Sequence, residues 1–260
     1  VLFVPRQARE KSNSGTYHIF LRGINRQNIF EDGEDSQKFL DALQRFKEIS
    51  AYSLYAYCLM GNHVHLLLQV GVEPLAQFMR RICGSYVYWY NKKYERIGNL
   101  FQDRFKSEPI EDDAYFLTVL RYIHQNPCKA GLVKELEHYN WSSYGSYIDE
   151  NKNKLKLLDT SFALKVYDED KIKAVHYFKE HHNKETIDAC LDMDERFFIS
   201  DQEAGKIIQA LCKIKSGHEL QKMEKTQRNI YLKKLKDEYN LSIKQIARLT
   251  GINRGIVCRA

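Results

Sequence analysis

Two periods of apolar spacing divide this chain. Alternating, β-rich runs occur at Thr16–Leu21, Tyr52–Leu59 and His63–Val70 and predict strands. The last two are separated only by a tight turn at Met60-Gly61-Asn62 and predict a hairpin. Between them the period lengthens. Phe39, Leu40, Leu43 and Phe46 recur at helical spacing behind a cap at Asp35 or Ser36. A second helical stripe runs through Leu75, Phe78, Met79, Ile82 and Tyr86, with Pro74 in its first turn. A third helix, Ala114–Asn126, buries Phe116, Leu117, Leu120 and Ile123, starts at Asp112 or Asp113 and stops at Pro127. This order predicts an α+β fold, an antiparallel sheet with helices packed on it.

The polar bridge Asn151-Lys152-Asn153-Lys154 marks an expected boundary between domains 1–150 and 151–260. Beyond it the period is helical throughout, so the C-terminal region reads as all-α. Ile172, Val175 and Phe178 mark one helix, and Ala204, Ile207, Ile208 and Leu211 another. Ile230, Leu232, Leu235 and Tyr239 fall on a further helix. Ser242 then caps Ile243–Leu249, Gly251 turns the chain, and Asn253 caps a last helix reaching Arg259. That is a helix-turn-helix pattern. Ile246, Ala247 and Ile252 take its interior, and Lys244, Arg248, Arg254 and Arg259 its surface.

Composition narrows the partners. Of 260 residues, 43% are hydrophobic and 28% charged, as in a soluble globular protein. No apolar run spans a bilayer, and Val1–Arg6 is too short for a leader's apolar core, so a cytoplasmic protein without a membrane partner is expected. A net charge of +6 leans towards a polyanion, and 17 tyrosines and 13 phenylalanines offer stacking surfaces. None of the six cysteines stands in C-x-x-C spacing, which argues for free thiols.

The chemistry concentrates in a few stretches. In the strand after Gly61-Asn62, alternation puts His63 and His65 on one face and Val64 on the other, so two imidazoles can close on one divalent cation. An isolated His-x-His can equally be two histidines on a half-exposed strand. Tyr122 and Asn126 share a face of the third helix. The loop Arg22-Gly23-Ile24-Asn25-Arg26-Gln27-Asn28 is either a solvated turn or a segment whose Arg22, Asn25, Arg26 and Gln27 hold phosphates and read base edges. In Gly98–Ser107, Arg104 and Lys106 alternate with aromatic rings, as in a single-strand groove or a half-buried edge.

Together, Cys58-Leu59-Met60-Gly61-Asn62-His63-Val64-His65-Leu66-Leu67-Leu68 and Val119-Leu120-Arg121-Tyr122-Ile123-His124-Gln125-Asn126-Pro127-Cys128-Lys129-Ala130-Gly131-Leu132-Val133 resemble the single-tyrosine HUH transposases of the insertion-sequence 200-like type. Within them the resemblance is to the REP-associated tyrosine transposases. Gly98–Lys106 and Trp141-Ser142-Ser143-Tyr144 fit that branch, and the likeness covers roughly residues 5–150. It implies a ferredoxin-like core and cleavage and strand transfer of single-stranded DNA through a 5′-phosphotyrosine. It also implies a divalent ion, Mg²⁺ or Mn²⁺. By that resemblance Tyr122 is the nucleophile, and His63, His65 and Asn126 are the ligands. Tyr115 is the rival nucleophile and Gln125 the rival ligand. The implied partner is a hairpin-bearing single strand, read by the Arg22–Gln27 loop. Arg248 and Arg254 are candidates for duplex contacts. A homodimer, a domesticated non-catalytic DNA-binding regulator and a zinc hydrolase built on His63 and His65 stay open.

Overall fold

The computed structural model describes residues 9–153, 156–184, 190, 201–214, 216–239, 241 and 243–260. Its first part runs β1 (Thr16–Arg22), α1 (Gly33–Ser50), β2 (Ser53–Met60), β3 (His63–Gln69), α2 (Leu75–Lys93) and β4 (Lys106–Ile110). The sheet order is β2-β3-β1-β4 with every pair antiparallel. This is the ferredoxin-like arrangement, and the expected α+β class holds. α1 and α2 cover one face, where Ile19, Leu21, Val64 and Leu66 pack against Phe39, Leu43, Phe78 and Ile82. α3 (Asp113–Lys129) lies on the opposite face, with Phe116, Val119, Leu120 and Ile123 against Tyr55, Cys58 and Leu67.

α1 begins earlier than its apolar stripe indicates. Its cap is Asp32, in a reciprocal capping box with Asp35, rather than Asp35 or Ser36. The first turn is polar, so hydrophobic spacing cannot reveal it. The buried Asp35 carboxylate also takes hydrogen bonds from the Glu31 amide at 2.6 Å, Tyr94 Oη at 2.9 Å and Lys93 Nζ at 2.9 Å, tying α1 to the end of α2. α3 is capped by Asp112 and does not stop at Pro127 but runs on to Lys129. Pro127 gives up the N–H that would reach the Ile123 carbonyl, and its ring crowds that carbonyl, a single local cost that does not stop the last turn.

No boundary falls at 151–154. Leu157 and Leu158 enter the core, and Leu158 bridges to Leu54 of β2. α4 (Tyr144–Ile148), α5 (Thr160–Lys165) and α6 (Lys171–His182) share α3's apolar cluster through Tyr144, Tyr147, Leu164 and Phe178. One compact unit therefore spans residues 1–191 and a second 192–260. In the second, α7 (Asp201–Cys212), α8 (Lys225–Asp237), α9 (Ile243–Thr250) and α10 (Arg254–Arg259) surround Ile208, Leu232, Leu235, Ile246 and Val257. Ile230 and Tyr239 point outward instead of into that core. Asn253 caps α10 as expected, accepting from the Gly255 amide. Ser242, the side chain of Lys244 and Val1–Arg6 lie outside the described residues. Among the described residues, no helix is long and apolar enough to cross a membrane.

Candidate active site

The α3-facing side of the sheet carries the polar residues that its other side lacks. Alternation sends Val64 and Leu66 towards α1 and α2 and leaves His63 and His65 facing α3. Register adds neighbours to that face. Across β1, Arg22 stands opposite His63 and Phe20 opposite His65, while Lys106 of β4 stands opposite Phe20. Tyr122 reaches the same place from α3. Its ring meets His65 edge-on at 5.5 Å between centroids, and His63 lies 5.2 Å from His65. The Tyr122 ring thus meets His65 within one chain, with His63 on the same strand face beside His65. Tyr122 is 7% exposed, and the Lys129 ammonium lies 5.1 Å from its ring centre.

Both imidazoles are held at Nδ1. His63 Nδ1 lies 2.6 Å from Asn62 Oδ1, while Nδ2 of that amide donates to the Arg26 carbonyl at 3.4 Å. Because Oδ1 only accepts, His63 Nδ1 donates to it. His65 Nδ1 lies 3.0 Å from Nε2 of His18, and its own Nε2 is buried without a hydrogen-bond partner. Burial, with His18 and His63 alongside, holds His65 well below the ordinary imidazole range, so it is neutral. A buried ring nitrogen left open beside a second imidazole suits a divalent cation. Among the described residues, no third His, Cys, Asp or Glu completes a metal-holding group with them.

The two amides near the end of α3 differ. Asn126 Nδ2 donates back to the Tyr122 carbonyl at 2.9 Å, which leaves Oδ1 as the atom able to face a cation. Gln125 is turned towards α6, its Nε2 donating to the carbonyls of His182 at 2.7 Å and Lys184 at 3.0 Å, with Oε1 buried without a hydrogen-bond partner. Tyr115, the rival nucleophile, is hydrogen-bonded to Glu108, and burial raises its pKa.

The loop before the hairpin is backbone-strained. Asn25 and Arg26 hold φ of 52° and 60°, a left-handed pair without glycine. Gly23 is obligatory there, since a Cβ would lie 2.2 Å from the Gln27 carbonyl oxygen. Gln27 turns inward, donating to the Leu100 carbonyl at 3.4 Å and accepting from Arg96 at 3.2 Å. Arg104 and Lys106 are exposed. In the second unit Arg254 is exposed, and Arg248 is paired with Asp201. Residues that sequence reasoning missed are His18 and Glu108, the latter 3.6 Å from His18 Nδ1.

Residues 11–126 match the family described as IS200-like transposase, a span that holds both histidines, Tyr122 and Asn126. A Haemophilus influenzae protein bearing the name REP-associated tyrosine transposase is 27% identical over 120 residues, 41% of this chain and 67% of that protein. A solved REP-associated tyrosine transposase, bound to a REP hairpin, superposes with a TM-score of 0.50 over 57% of this chain and 87% of its own. At 19% identity, that second likeness is one of fold.

Proposed function

We propose that this IS200-like chain cuts and rejoins single-stranded DNA through a covalent bond to Tyr122. The observation carrying this reading is the phenol of α3 packed edge-on against His65 within one chain. In the reaction the Tyr122 oxygen bonds to phosphorus and the bond from phosphorus to the 3′ oxygen breaks. The electron pair leaves with that oxygen, which takes a proton from water to become a 3′-hydroxyl, and the phenol proton goes to water. The product is a 5′-phosphotyrosine, and reversal onto another 3′-hydroxyl reseals the strand. His63, His65 and Asn126 would hold Mg²⁺ or Mn²⁺, which when bound polarises the scissile phosphate and steadies the leaving oxygen.

The remaining residues position DNA. Lys129 brings positive charge beside the nucleophile, and Arg22 and Lys106 share the histidine face. Asn25, Arg26 and Gln27 form the loop that reads bases next to a hairpin, Gln27 once released from Arg96, and Arg104 contacts the backbone. Binding of a REP hairpin by the solved relative supports hairpin DNA as the substrate. In the second unit, α9, the Gly251-Ile252-Asn253 turn and α10 form a helix-turn-helix, with Arg254 and Arg248 towards duplex phosphates.

Incubation with a hairpin-bearing single strand and Mn²⁺ should yield a denaturation-resistant protein–DNA adduct, and Tyr122→Phe should yield none. An adduct formed by Tyr122→Phe sinks the assignment. The burial of Tyr122 favours one second reading, a hairpin-binding regulator that does not cut. It predicts hairpin binding in EDTA and no adduct with any metal.

A further inference from the structure

We propose that the cavity between the C-terminal ends of α3 and α6 seats the nucleotide whose 5′ phosphate Tyr122 takes, with Lys129 at that phosphate and, inside, a base that carries an exocyclic amino group. This rests on the strand-cutting reading of Tyr122 and deepens it.

The cavity has a volume of about 590 Å³, within the range of small-ligand sites. Cys128, Leu136 and Tyr144 give its wall an apolar part, while Lys129, Lys134, Lys179 and Lys184 line it as exposed residues. Those four ammonium groups outnumber the carboxylates of Glu135 and Glu137, so the opening is net cationic. Apolar wall beside lysines suits a nucleotide, because the base leaves water against the one and the phosphate pairs with the other. The wall also holds acceptors. Gln125 is only 8% exposed, its Nε2 is taken up by the His182 and Lys184 carbonyls, and its Oε1 is buried without a hydrogen-bond partner. With the Glu135 and Glu137 carboxylates, that oxygen favours a base edge that donates. Adenine, cytosine and guanine bring an exocyclic amino group, whereas thymine sets its one N–H between two carbonyls.

Lys129 joins the cavity to the chemistry. It lines the wall, and its ammonium lies 5.1 Å from the centre of the Tyr122 ring. Seven residues make about two helical turns, so Tyr122 and Lys129 share a face of α3, while Gln125 turns to the side where it meets α6. The strand held as a 5′-phosphotyrosine begins at that phosphate, so its first base is the one beside the cavity. Apart from Gln125, the wall residues lie beyond the span 11–126 matched to the IS200-like family.

The test titrates the full ¹⁵N-labelled chain, without metal, with deoxycytidine 5′-monophosphate. Resonances of the Gln125 side-chain amide and the Leu136 backbone should shift. Thymidine 5′-monophosphate should bind at least about threefold more weakly, and deoxycytidine without phosphate at least about tenfold. Lys134→Glu combined with Lys179→Glu, both at exposed positions, should weaken binding at least about tenfold with the melting temperature unchanged. In a second arm, 5-iodocytosine stands at the position whose phosphate the Mn²⁺-dependent adduct carries, and irradiation should join it to residues 128–137 or 179–184. No shift at Gln125 or Leu136, thymidine monophosphate bound as tightly, an unaffected double variant, or joining only elsewhere each overturns the proposal. An adduct formed by a chain that binds no deoxycytidine monophosphate overturns the cavity and keeps the strand-cutting reading. Binding of that nucleotide without any adduct removes the strand-cutting reading and overturns the cavity's tie to Tyr122.

Discussion

Acid should unfold the first unit by way of its buried histidines. His65, His124 and His182 are all buried and held below the ordinary imidazole value, His182 at about 3, with desolvation the first cause for each. His182 Nδ1 donates to the Phe178 carbonyl, its Nε2 faces His124 Nδ1 at 2.9 Å, and His124 Nε2 meets Ser143 Oγ at 2.7 Å. A proton added at His124 Nε2 could be taken by Ser143 Oγ, whose hydroxyl donates to the Tyr57 carbonyl at 3.2 Å, so the cost of charging the chain is that of burying the charge. The unfolded chain takes up protons near pH 6.5 and the folded one does not, so stability is full above 6.5 and falls as pH drops below it. Between pH 7.5 and 5.5 each ring should remove about 1.4 kcal/mol, or roughly 4 kcal/mol for the three, against a typical total of about 5–15. Carboxylates held low by ion pairs act only at lower pH and leave this window clear. Urea unfolding followed by tryptophan fluorescence is the assay, because Trp89 and Trp141, the only tryptophans, both lie in the unit spanning 1–191. An unfolding free energy that changes by less than about 1 kcal/mol between those pH values would refute the reasoning.

Gln125→Ala should cost about 1–3 kcal/mol, because the His182 and Lys184 carbonyls lose their donor, yet the DNA adduct should still form. Asn126→Ala should do the reverse, weakening Mn²⁺ binding in calorimetry with little change in urea midpoint. Asp112→Ala removes the α3 cap and should lower stability by about 1 kcal/mol, read as a lower melting temperature.

Strand alternation alone places His63 and His65 together, since it needs only neighbours in sequence. Helical spacing likewise puts Tyr122 and Asn126 on one face. His18 and Glu108 escape such reasoning because cross-strand register unites them, and Glu108 belongs to a short strand with no alternating apolar signal. Choosing between Gln125 and Asn126 needs the position of α6, which a boundary drawn at the polar stretch 151–154 assigned to another domain. Asn151 and Lys152 lie in an exposed 3-10 turn, Glu150–Lys152, and Leu157 and Leu158 belong to the core.

One side-chain amide spans two functions in the hairpin turn. Asn62 grips His63 with its oxygen and the Arg26 carbonyl with its nitrogen, and Arg26 belongs to the left-handed loop. Any movement of this loop therefore pulls on the same planar group that steadies the imidazole, and the loop's conformation and the ring's orientation are mechanically geared to each other.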